Sequence, residues 1–213
     1  MTPKKLLILI FALFGLIINA QKTKQKEYVF FLHNKFLETH ALDEAHPQYG
    51  IPEYQSILDK LKTKNSIIIS EKRKAYTDPQ LYARKIITQI DSLHRNGIPF
   101  NRISVVGTSQ GGYIAQYVSY FSKNPKLKFV IIGSSFKNDS MNLNKNFKLY
   151  GKILSITEKS DTDSELLSKQ KRYSNSNIKY FKELVLNTGL SHGFLFKALD
   201  DWILPTKEWI YNN

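Results

Sequence analysis

The 213-residue sequence predicts an α/β fold: a single domain with a mostly parallel six-stranded sheet flanked by helices. Three observations carry that expectation. Short runs rich in β-branched and aromatic residues recur along the chain, segments of helical period lie between them, and the runs are nearly continuous rather than alternating. A continuous apolar strand is buried on both faces, as in a parallel sheet. Alternation of strands with helices then implies right-handed parallel crossovers.

The N-terminus stands apart from this pattern. Lys4 and Lys5 form a positive start, Leu6 to Ile18 is an apolar run, and Ala20 supplies a small residue before Gln21. That order is the build of a secretory signal peptide, and the run is short of the about 20 residues a membrane-spanning helix needs. Residues 1–20 are therefore expected to be a cleaved signal peptide, 21–213 the folded domain, and the location periplasmic or secreted. No stable membrane insertion is expected after cleavage. An uncleaved anchor is the competing reading. A lipid anchor on cysteine is excluded, because the chain has none.

The strands are expected at Tyr28 to Leu32, Ser66 to Ile69, Ile103 to Val106, Phe129 to Ile132, Lys152 to Ile156 and Glu183 to Leu186. Helical period marks Pro52 to Leu61, Pro79 to Leu93, Ser109 to Phe121 and Phe194 to Ile203. Asp78 is a suitable N-cap for the second of these, and Gly97 a stop. The polar stretches 137–146 and 161–177 have loop composition, and neither is long enough for a separate cap domain.

Composition excludes more than it selects. Zero cysteines rule out disulfides, thiolate nucleophiles and thiolate metal sites. Loss of Lys4 and Lys5 brings the formal charge of +13 to +11. The lysines are spread along the chain beside Asn and Ser, with no basic run interleaved with aromatics, so no nucleic-acid partner is expected. His40, Asp43, Glu44 and His46 match no common zinc spacing and read as a polar surface loop. No metal or cofactor is expected.

The chemistry sits in Ile103 to Ala115, ISVVGTSQGGYIA. A buried strand runs through Gly107-Thr108-Ser109-Gln110-Gly111 directly into a helix, the context in which G-x-S-x-G forms a nucleophile elbow. Gly107 and Gly111 remove side chains that would meet neighbouring backbone, Gly112 allows close helix packing, and Gln110 N–H sits at a helix N-terminus suited to an oxyanion. A serine nucleophile needs a base, and the base needs an orienting group. The fifth strand leads into Thr157-Glu158-Lys159-Ser160-Asp161. The sixth leads into a glycine-bounded loop that carries His192, the only histidine after Ser109.

From Tyr28 onward the chain resembles a compact α/β-hydrolase without the usual first two strands and without an inserted cap. The segments that carry the resemblance are GTSQGG, ITEKSD and GLSHGF. It implies a catalytic triad of Ser109, Asp161 and His192. Asp161 has the family's offset from its strand. Glu158 lies so near the strand end that it would have to fold back, and Asp163 reads as a cap of a following short helix. Substituting either of these two is expected to change turnover less than about tenfold. The resemblance also implies an oxyanion hole from Gln110 N–H and a second donor, Asn34 or Lys35 N–H, in the loop Leu32-His33-Asn34-Lys35-Phe36. Asn34 stands where relatives have glycine, and His33 supports the loop. Phe36 and Leu37 are candidates to line an acyl pocket. Phe194 to Phe196, Trp202, Trp209 and Tyr211 read as core and docking residues of the last helices.

The expected function is hydrolysis of a small-molecule carboxylic ester through an acyl-enzyme, with an amide or peptide substrate open to the same machinery. The rival is a non-catalytic binding or envelope-associated protein on the same scaffold.

Overall fold

A computed structural model describes residues 26–174 and 177–212; the expected signal segment lies outside them. Six strands form one sheet: β1 (Glu27–Leu32), β2 (Ser66–Ile69), β3 (Ile103–Thr108), β4 (Lys128–Ile132), β5 (Tyr150–Glu158) and β6 (Asn177–Leu186), in the order β2-β1-β3-β4-β5-β6. Every pairing is parallel rather than most of them. All strand C-termini therefore open on one edge, where an open α/β sheet places its ligands.

The helices are α1 (Phe36–Thr39), α2 (Tyr54–Leu61), α3 (Pro79–Arg95), α4 (Gln110–Ser122), α5 (Lys171–Ser174) and α6 (Asp200–Asn212). Successive side chains of a strand point to opposite faces, and the core divides accordingly. Val29, Phe31, Val106, Val130 and Ile156 face α2 and α6, meeting Ile57, Leu61, Trp202 and Trp209. Phe30, Leu32, Val105, Phe129 and Ile131 face α3 and α4, meeting Ile86, Ile90, Ile114 and Val118. Burial on both faces explains the continuous apolar runs. Asp78 caps α3 as its sequence position suggests, accepting from Gln80 N–H and Leu81 N–H at 2.8 Å each.

Several details differ from expectation. β5 and β6 are longer, because register with a neighbour extends them through Lys and Tyr positions that carry no apolar signal. The helix expected over Phe194 to Ile203 is two pieces, a 3₁₀ segment Ser191–Phe196 and then α6 from Asp200. Between them Lys197 is extended, and Ala198 is held by non-local contacts: its N–H donates to Glu53 and its carbonyl accepts from Lys60 Nζ. Asp163 caps no helix; residues 161–164 form a turn closed on Asp161. Among the described residues no helix is long and apolar enough to cross a membrane.

Candidate active site

The turn from β3 into α4 sets the geometry. Ser109 takes φ 49° and ψ −118°, a region that non-glycine residues adopt only when surroundings enforce it. Its N–H donates to Ile132 O at 2.9 Å, and its carbonyl accepts from Tyr113 N–H at 2.9 Å, which opens the helix. A Cβ on Gly107 would lie 2.3 Å from the Gly111 carbonyl group, and one on Gly111 would lie 1.9 Å from Leu32 O. Both contacts are with backbone that cannot step aside, so glycine is required at each position.

Ser109, His192 and Asp161 come from the C-terminal ends of β3, β6 and β5 and meet in one hydrogen-bonded chain. Asp161 Oδ2 lies 2.7 Å from His192 Nδ1, and His192 Nε2 lies 2.9 Å from Ser109 Oγ. The carboxylate accepts from Nδ1–H, which leaves Nε2 as the acceptor for the serine hydroxyl. The Asp161 side chain is 2% exposed and that of His192 22%. Burial alone would raise the Asp161 carboxyl. The His192 hydrogen bond and charge, the Ser164 hydroxyl at 2.8 Å and Asp163 N–H outweigh it and hold the group below the ordinary aspartate value.

Glu158 does fold back, and it does so to hold the two loops of this chain together. Its Oε2 accepts from Thr188 N–H and Thr188 Oγ–H, both at 3.0 Å. Its Oε1 accepts from Ser160 N–H, Ser160 Oγ–H and Gly189 N–H. Ser160 Oγ in turn accepts from Ser191 N–H at 3.0 Å, so the residue before His192 is reached from Glu158 through one hydroxyl. Burial raises the Glu158 carboxyl, but these donors bring it below the ordinary glutamate value. Nothing in the local spacing distinguishes Glu158 from a strand-end carboxylate; only the pairing of β5 with β6 brings Thr188 to it.

Beside Ser109 and His192 lies a cavity of about 330 Å³. Its floor includes Asn34 and Lys35, and its wall is a set of rings. Phe36 stacks on His40 at 4.0 Å, His46 stacks on Tyr49 at 4.5 Å, and Phe196 contacts Phe36, His46 and Tyr49. Phe36 thus lines the pocket, whereas Leu37 is buried in the core. His40 and His46 are wall residues rather than part of a solvated loop, while Asp43 and Glu44 are exposed. Among the described residues no group of three or more His, Asp or Glu converges as a metal site. Gly193 makes room for the Tyr49 ring, which a Cβ there would meet at 2.7 Å. A larger recess of about 490 Å³ around Gln55, Asp59 and Lys62 contains none of these groups.

The loop after β1 carries the other expected donors. Asn34 is not in the left-handed region, where the described non-glycine residues are Tyr76, Ser109, Lys123 and Ser191, so glycine is not required there. Asn34 Oδ1 accepts from Leu37 N–H at 3.4 Å. His33 is buried, and burial, then the Arg73 charge, push its pKa down to about 3. Its ring is neutral, with Nε2 accepting from Arg73 N–H at 2.8 Å and Nδ1–H donating to Asn34 O at 2.6 Å.

A family model described as phospholipase/carboxylesterase matches residues 69–193, a span that contains the elbow, Asp161 and His192. The crystal structure of SOBER1 from Arabidopsis thaliana is similar with a TM-score of 0.55 at 13% identity, covering 88% of this chain and 98% of that one. RedJ, solved with a PEG molecule bound in its active site, gives 0.52 at 9% identity, covering 85% and 88%. At these identities the likeness is one of fold. No curated protein matches the sequence.

Proposed function

The chain belongs to the phospholipase/carboxylesterase family of α/β-hydrolases, and on that premise we propose that it is an exported serine hydrolase that cleaves carboxylic esters through an acyl-enzyme on Ser109. The observation that carries this reading is the hydrogen-bonded chain Ser109–His192–Asp161 at the edge of the ring-walled cavity.

Ser109 Oγ attacks the carbonyl carbon while its proton passes to His192 Nε2. Asp161 keeps the imidazole oriented and stabilises its protonated form. The tetrahedral oxyanion accepts from Gln110 N–H, at the positive end of α4, and from an N–H of the Asn34–Lys35 segment. His192 gives its proton to the departing alcohol oxygen. Water then attacks the acyl group, its proton passing to His192, and the acid leaves as Ser109 is restored. Ester is favoured over amide by the family's description. Export is supported by the charge–apolar–small order from Lys4 to Ala20, with residues 1–20 removed.

A fluorophosphonate probe tests the reading, since it reacts with an activated serine whatever the natural substrate. Wild type is expected to label and Ser109→Ala not to. A folded wild type that does not label would favour a binding protein on this scaffold.

A further inference from the structure

We propose that Arg73 is a positioning residue for the oxyanion hole, turning the Asn34–Lys35 peptide so that Lys35 N–H faces the reacting carbonyl; the inference rests on the serine-hydrolase reading above. Arg73 lies in the loop after β2, and its side chain is fully buried. Its Nη2 donates to His33 O at 2.6 Å and to Asn34 O at 3.2 Å, and its Nε donates to Glu38 Oε1 at 2.9 Å. The Asn34 carbonyl thus takes donors from both Arg73 and the neutral His33 ring.

Peptide geometry converts this grip into a direction. No described peptide bond is cis, and in a planar trans peptide the C=O and the following N–H point opposite ways. With the Asn34 carbonyl drawn into the buried side, Lys35 N–H points away from Arg73, on the side where Asn34 and Lys35 border the cavity with Ser109. Lys35 N–H has no acceptor among the described residues. The same loop rests on the start of α4, as a Cβ on Gly111 would meet Leu32 O at 1.9 Å and His33 O at 2.7 Å. Lys35 N–H and Gln110 N–H therefore flank one spot.

Stability does not account for the arrangement. A buried ion pair returns little net stability against an apolar replacement of similar size, and Arg73 Nη1 is left buried without a hydrogen-bond partner. What a guanidinium offers here is a rigid planar fork that reaches two carbonyls and a carboxylate at once, which a lysine cannot do.

Arg73→Lys, which keeps the charge facing Glu38, and Lys35→Pro test the claim on 4-nitrophenyl butyrate. Lys35 is exposed with a φ of −70° that proline shares, and proline there removes the N–H; Lys35→Ala controls for the lost side chain, and the melting temperature of Lys35→Pro checks that the loop keeps its fold. Loss of one oxyanion donor costs about 100- to 1,000-fold in kcat. Arg73→Lys should approach that loss with KM within about threefold, and should weaken binding of a boronic-acid transition-state analogue by a similar factor. Lys35→Pro should lose as much relative to Lys35→Ala, which keeps the N–H. A merely structural Arg73 would lower the melting temperature and leave kcat in place. Wild-type labelling and turnover decide the hydrolase reading separately. The Lys35 amide NMR resonance should move in Arg73→Lys whether or not the wild type turns over. An unmoved resonance, or Lys35→Pro matching Lys35→Ala within threefold, overturns the proposal.

Discussion

Glu158→Gln exchanges one oxygen of a buried carboxylate for an NH2 group, and that carboxylate accepts five hydrogen bonds from the loops that carry Asp161 and His192. Placing the amide nitrogen at the Oε1 position would oppose two backbone N–H groups, those of Ser160 and Gly189. Placing it at Oε2 opposes only Thr188 N–H, because the Thr188 hydroxyl can turn to accept. The second placement is the cheaper one. It still leaves one backbone donor unsatisfied and removes the charge from the bonds that remain, together about 2–4 kcal/mol. Whatever part of this appears as displacement of the His192 loop lowers turnover tenfold per about 1.4 kcal/mol. Turnover should therefore fall about 10- to 100-fold, more than the strand-end position of Glu158 suggests from sequence. The assay is urea unfolding at pH 7 alongside kcat/KM measured well below the unfolding midpoint. A variant within twofold of wild type in kcat/KM and within about 0.5 kcal/mol in stability would refute the reasoning.

Other outcomes follow from the same contacts. Asp161→Asn should keep the fold and lower turnover by up to about ten-thousand-fold, because an amide NH2 facing Nδ1 turns the Nε2 proton toward Ser109; kcat with an unchanged circular dichroism spectrum checks this, and Asp163→Asn, exposed and capping no helix, should stay within tenfold. His33 binds a proton at pH about 6.5 when unfolded but only near pH 3 when folded, so the unfolded state takes up protons first and stability present above pH 6.5 is lost as pH falls toward 3. Between pH 6.5 and 5 the loss is about 2 kcal/mol; denaturant unfolding at the two pH values measures it, and His33→Gln should flatten that slope. Protein from the native host should begin near Gln21 by N-terminal analysis, and a retained Met1 would indicate an anchor.

The parallel sheet was legible because burial on both faces writes itself into unbroken runs such as Phe129 to Ile132. The first half of β6 was not, since an edge strand with one neighbour tolerates Lys179 and Lys182, and its register comes from β5. The elbow was legible because steric demands on Gly107 and Gly111 are local. His192 stood out as a lone histidine in a loop after a strand. Arg73, Glu158 and Tyr49 carried no comparable signal. Each acts across 30 or more residues of sequence or against a ring wall, and contacts of that range leave no spacing rule. His40 and His46 misled for a different reason: their polarity suggested solvent, while local stacking on Phe36 and Tyr49, with Phe196 closing on Phe36 and His46 from far along the chain, turns them into cavity wall.

The central claim is that Ser109 is a nucleophile activated by His192. Intact-mass analysis after incubation with a fluorophosphonate tests it most directly, with peptide mapping to locate the adduct. The account predicts one adduct per chain, on Ser109, absent in Ser109→Ala and formed at least about 100-fold more slowly in His192→Ala. Folded wild-type protein that gains no adduct, or gains it on a residue other than Ser109, would contradict it.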